Sequence, residues 1–150
     1  MDADTRALFK DADTRALFEG RLLELAKARL REGRLDPPAS SAQSKNPFCG
    51  DEIDVDIALN GADLTAVGYE ARACSLCVAS AELLSAWVDE APRGTDDISA
   101  LAHAIRETLK GENAPAGFEA LASVAPFRAR HKCVTLPFEA ALKAIEEEKT

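Results

Sequence analysis

No run of this sequence is apolar for long enough to cross a bilayer, which sets aside a transmembrane helix. Its start is charged and helical in pattern, without the apolar core of a secretory signal. Basic residues are the minority, 18 Lys and Arg against 26 Asp and Glu, for a net charge of −8. A nucleic-acid surface, like an anionic lipid surface, needs clustered Lys and Arg, so neither nucleic acid nor membrane is expected as a partner. Aromatic residues make up only 5% of the chain, so the core must come from Leu, Ala, Val and Ile. The expected compartment is cytoplasmic and reducing. There, four cysteines read as free thiols or metal ligands rather than disulfides.

What is present fits a single domain over residues 1–150. Residues 1–33 form an N-terminal helical segment. Within it, Asp2–Phe9 recurs letter for letter as Asp11–Phe18, a repeat too short and too perfect for a solenoid. Leu17, Phe18, Leu22, Leu25, Ala26 and Leu30 follow helical spacing, and Gly33 is a stop signal. Residues 34–46, with Pro37, Pro38 and several Ser, read as an irregular linker before a core over 47–150. Residues 52–59 alternate acidic and apolar, the pattern of a strand with one wet face. Asn60-Gly61 marks a hairpin turn, and Leu64–Ala71 is the return strand.

Leu76–Val88 reads as a buried helix with Trp87 in the core. A capped helix begins at Thr95 and stops at Gly111. A short helix or turn follows over Phe118–Val124, then an extended basic segment, Pro126–Lys132. A last amphipathic helix carries Pro137 in its first turn. The order implies an α+β fold: a small antiparallel sheet with helices packed on one face, preceded by an N-terminal helix.

The chemistry gathers at Asn46-Pro47-Phe48-Cys49-Gly50-Asp51. Pro fixes φ and Gly permits a positive φ, so this stretch reads as a turn presenting a thiol and a carboxylate together. The hairpin that follows should bring Cys49 and Cys74 side by side. Cys74 and Cys133 each stand where a helix begins, and the dipole there favours a thiolate. Cys49, Asp51, Cys74 and Cys133 together offer a metal three soft ligands and one hard one. Cys77, one turn into an apolar helix, reads as a core residue or an additional ligand. The Cys74-x-x-Cys77 pair is open to a redox or a zinc-knuckle reading. In an extended segment His131 would share a face with Cys133, as an alternative ligand or a proton shuttle. Arg128, Arg130 and Lys132 form a basic cluster suited to steadying thiolates or meeting an acidic partner. His103, mid-helix with no second ligand, reads as a surface histidine.

Three ordered motifs carry a resemblance: Asn46-Pro-Phe-Cys-Gly-Asp51, Cys74-Ser-Leu-Cys-Val-Ala-Ser-Ala81 and Arg130-His-Lys-Cys-Val-Thr-Leu136. Over about residues 46–145 the chain resembles the iron–sulfur cluster assembly scaffold family, which includes the N-terminal domain of NifU, IscU and SufU. Cys74 and Cys133 lie 59 positions apart, and Lys132 directly precedes Cys133, both features resembling the SufU branch. Ala71 and Ala73 stand where the family usually has glycine around its second cysteine, and Cys77 where it usually has no thiol. The resemblance implies a sheet of about three strands and a site of Cys49, Asp51, Cys74 and Cys133. The site would bind zinc or an iron–sulfur cluster, with Cys133 as sulfur acceptor. The implied partners are a cysteine desulfurase and apo iron–sulfur acceptor proteins. A scaffold and sulfur carrier is expected before an enzyme, with a zinc-dependent sulfurtransferase or a structural zinc domain as rivals.

Overall fold

The structure, a computed structural model, describes residues 12–149, with side chains described from 19 to 148. The first copy of the repeat lies outside the described residues. The fold is α+β: α1 (Ala12–Ala28), β1 (Ser40–Lys45), β2 (Glu52–Asn60), β3 (Asp63–Arg72), α2 (Ser75–Glu90), β4 (Arg93–Gly94), α3 (Thr95–Leu109) and α4 (His131–Lys149). Two 3-10 turns, Glu119–Val124 and Arg128–Arg130, lie between α3 and α4.

The α1 helix stops before Gly33. Arg29 takes a positive φ of 46°, and its guanidinium bonds Glu32 at 3.0 Å, which ends the helix short of the expected point. Leu30, expected on the buried stripe, is therefore 86% exposed.

The sheet is antiparallel, in the order β1-β2-β3-β4. The β2–β3 hairpin turns at Asn60–Asp63 as expected. Residues 34–46, expected to be irregular throughout, instead contain β1, paired along its whole length with β2. Serine is a poor strand former. Here tertiary packing overrides propensity, because small residues at Ser40, Ala42 and Ser44 let α4 lie close over this edge. On the inner face Ile53, Val55 and Ile57 are fully buried, each contributing about 1.5–3 kcal/mol. They join one apolar cluster with α2, which covers β3, and α4, which covers β1 and β2. Tyr69 lies in the same layer, its hydroxyl donating to the buried Glu82 carboxylate at 2.6 Å.

The outer face is not simply wet. After Gly33, whose N–H bonds Tyr69 O at 2.7 Å, the chain crosses this face to reach β1. It passes over Gly68, where an added Cβ would lie 2.7 Å from Gly33 O. The crossing buries Asp56 completely. Both carboxylate oxygens are satisfied: Arg34 donates to each at 2.8 Å, Leu35 N–H donates at 2.9 Å and Ser41 Oγ at 2.5 Å.

Beyond the sheet, Trp87 is only partly buried; Arg93 stacks 4.0 Å from its ring centre, and Phe118 meets it edge-on. Gly94 is the N-cap residue of α3, and its N–H donates to the Asp97 carboxylate at 2.9 Å. Pro126–Lys132 is not extended: it holds the second 3-10 turn and the start of α4. The helix begins before Pro137, so that proline sits in its second turn. Having no N–H, Pro137 cannot make the helical bond to the carbonyl of Cys133.

Candidate metal centre

The three cysteine motifs meet at one end of the sheet. Asn46–Asp51 is the turn joining β1 to β2, since Lys45 and Glu52 are the last pair of that ladder. The buried Asn46 organises it. Its N–H bonds Asp51 O at 2.8 Å, its carbonyl accepts Gly50 N–H at 2.9 Å, and its side-chain oxygen accepts Phe48 N–H at 3.1 Å. Gly50 takes φ +77°, which glycine adopts at little cost. The turn thus holds Cys49 out in solvent and folds Asp51 inward, with Asp51 only 6% exposed.

Cys74 is the N-cap residue of α2, in extended conformation after β3. Its N–H donates to Asp51 Oδ1 at 3.2 Å, tying the first motif to the second. Cys133 lies in the first turn of α4 and is 3% exposed. The ligand atoms of Cys49, Asp51 and Cys133 lie within 4.8 Å of one another. Cys74 is outside that triangle, but its thiol neighbours the Cys133 thiol closely enough to perturb it.

The electrostatics differ from expectation. A low-pKa thiolate is expected at Cys133 from the helix start. Burial instead pushes the Cys133 thiol well up, and Cys74 and Asp51 beside it push the same way. Cys77 is fully buried and is raised too, first by burial, then by Cys74, Asp51 and Cys49. Acidic groups crowded together resist ionising; a divalent cation among them reverses that balance. The site residues fit such a cation on a second ground. Asp51 Oδ2 is buried without a hydrogen-bond partner, although an unpaired buried carboxylate oxygen is costly.

His131 is not brought to this group. In a helix, positions two apart do not share a face, and its Nε2 lies 2.9 Å from Ala125 O. Lys132 points along α4 to Glu139 at 2.8 Å. Arg128 and Arg130 are exposed on the 3-10 turn, and neither is among the strongest influences on Cys133. A cation missed in the sequence, Arg29, lowers the Cys77 thiol slightly from the end of α1. Its helical pattern gave no sign of this, because the left-handed turn at Arg29 redirects it. His103 is exposed, as expected. Among the described residues, no helix is long and apolar enough to cross a membrane.

Residues 19–146 match the family model described as NifU-like N terminal domain. The iron-sulfur cluster assembly scaffold protein IscU of Streptococcus pyogenes serotype M1 is 29% identical over 126 residues, 81% of this chain and 77% of the relative. The zinc-dependent sulfurtransferase SufU of Bacillus subtilis (strain 168) is 31% identical over 111 residues, 69% and 73% respectively. The crystal structure of a nitrogen-fixing NifU-like protein (N-terminal) from Brucella abortus superposes with a TM-score of 0.76 at 27% identity, covering 86% of this chain and 92% of that one.

Proposed function

The chain belongs to the NifU-like N-terminal domain family, and from that premise we propose that it accepts persulfide sulfur and metal at Cys49, Asp51, Cys74 and Cys133 for iron–sulfur cluster assembly. One observation carries the reading. Three donors from two separate motifs, Cys49 and Asp51 of the turn and Cys133 of α4, lie within 4.8 Å, and one of them, Asp51, keeps a buried oxygen without a partner.

The roles follow from position. Asp51 braces Cys74 through its N–H and turns its second oxygen to the ligand. Cys49, exposed at the turn, is the donor an incoming ion or protein meets first. Cys133, innermost, is the sulfur acceptor. Its sulfur attacks the outer sulfur of a cysteine desulfurase persulfide, forming a Cys133 Sγ–S bond as the desulfurase cysteine leaves as thiolate. Zinc, when bound, keeps these thiols deprotonated at neutral pH. Apo iron–sulfur proteins are the acceptors of the product.

A second reading, a zinc-dependent sulfurtransferase, is favoured by the 59-position spacing of Cys74 and Cys133 and by Lys132 before Cys133. Asp51→Ala separates the two. In a scaffold, the hard ligand keeps the cluster labile, so its loss should lengthen the lifetime of a reconstituted cluster. In a sulfurtransferase, the same change should weaken zinc and slow sulfur transfer, and neither protein should form a cluster. Unchanged zinc affinity, cluster lifetime and sulfur transfer would remove Asp51 from the site, and with it the observation that carries the proposal.

A further inference from the structure

Cys77 is the one site-proximal thiol to which neither reading gives work. Burial alone would suit any small apolar residue there. Its place relative to Cys74 does more. Cys74 caps α2 and Cys77 ends the first turn, with Cys77 N–H bonded to Cys74 O at 3.1 Å. That i to i+3 turn holds the two Cα atoms within about 7 Å, overlapping the roughly 4.4–6.8 Å that a disulfide spans. Cys74 is partly exposed at a helix start, whereas Cys77 is sealed beneath it. An accessible first thiol backed by a sheltered second one, three positions on at a helix N-terminus, is the arrangement of a dithiol that resolves mixed disulfides.

We propose that Cys77 is a resolving thiol: it attacks a persulfide carried on Cys74, closes a Cys74–Cys77 disulfide and releases sulfide. The step rests on the sulfur-acceptor reading above. Sulfur received at Cys133 first passes to its neighbour: the Cys74 thiolate takes the outer sulfur, and Cys133 leaves as thiolate. Cys77 sulfur then attacks Cys74 Sγ. The Cys74–Cys77 bond forms and the bond from Cys74 to the outer sulfur breaks. The departing sulfur keeps the bonding pair and takes up the Cys77 proton, so persulfide and thiol become disulfide and hydrogen sulfide. The outer sulfur gains two electrons, which the two cysteine sulfurs supply. The chain thereby makes sulfide with no outside reductant for that turn, and a thiol reductant must reset it. The closed disulfide also removes Cys74 as a ligand, so a chain that has released its sulfide holds metal more weakly until it is reduced.

The test uses the full chain, stripped of metal by chelation and treated with glutathione persulfide without reductant. Wild type should release about one equivalent of sulfide and become about 2 Da lighter, with Cys74 and Cys77 linked after cleavage at Leu76. Cys77→Ser should instead stay about 32 Da heavier and release none; Cys77→Ala gives the same reading should the serine disturb folding. Persulfide that loads and persists equally in wild type and both variants overturns the proposal, as does a disulfide joining Cys74 to Cys133. Failure of any cysteine to load persulfide would take down the sulfur-acceptor reading and this step with it.

Discussion

Two buried aspartates, five residues apart on one hairpin, have opposite surroundings. Asp56 is fully buried and receives four hydrogen bonds, two of them from Arg34. Asp51 is almost as buried, yet one of its oxygens receives none. Burying a carboxylate is costly unless it is paired. At Asp56 the chain crossing the sheet supplies the pairing. At Asp51 no such segment supplies a bond to the second oxygen. One acid secures the fold; on the proposed reading, the other is held for a ligand at some cost to it.

The comparison breaks most visibly at Asp56. Asp56→Ala strands Leu35 N–H and Ser41 and unpins Arg34. Arg34 is partly exposed and can rehydrate, so the loss should be about 2–4 kcal/mol, read as a lowered denaturant midpoint. Acid should reach the same contact. Burial raises the Asp56 pKa, but the bonds from Arg34, Ser41 and Leu35 outweigh it and hold it below its ordinary 3.8. A depressed carboxylate stabilises fully above its unfolded value and loses that contribution as pH falls through its folded value. Wild type should therefore lose stability more steeply than Asp56→Ala below about pH 4. Parallel acid profiles would show that Asp56 is not what the crossing chain is pinned to.

Asp56 also marks where the sequence stopped being legible. The alternation over 52–59 identifies the strand and its inner face, because both are local properties. It assigns Asp56 to water, because nothing local says that Gly33–Asp36 crosses there. The same long-range cause hides β1, whose serines become a strand only between β2 and α4. The cysteine motifs are legible because turn chemistry and helix starts are local, and the hairpin register then brings two of them to one end. The misreading at His131 came from one local error, an extended segment where a helix begins, which moves a residue two positions away to another face.

A smaller effect is expected where the chain crosses. Gly68→Ala places a Cβ 2.7 Å from Gly33 O and 2.9 Å from a Leu35 side-chain carbon. Backbone cannot yield as a flexible side-chain end can, so the crossing must lift. Strain of this kind costs about 1–3 kcal/mol. Combined with Asp56→Ala, the loss should be less than additive, because both changes loosen one segment. Strict additivity in denaturation would mean that Gly68 and Asp56 hold separate parts of the chain.

The smallest effect on stability, and the most telling, belongs to Asp51→Ala in the metal-free protein. The change removes an uncompensated buried oxygen, which favours the variant. It also removes the bond to Cys74 N–H, worth about 0.5–1.5 kcal/mol and somewhat more to a charged acceptor. The two nearly cancel, so stability should stay within about 1 kcal/mol of wild type, against the larger loss at Asp56. Zinc should reverse the order. A ligand that binds only the folded state stabilises by RT ln(1 + [L]/Kd), so a tenfold weaker site gives up about 1.4 kcal/mol at saturating zinc. Wild type and Asp51→Ala should therefore melt together in chelator and apart in zinc, while Asp56→Ala is shifted by a similar amount in both. If Asp51→Ala were as damaging as Asp56→Ala without metal, its open oxygen would be part of the fold's own bonding, and the carboxylate would not be held for a ligand.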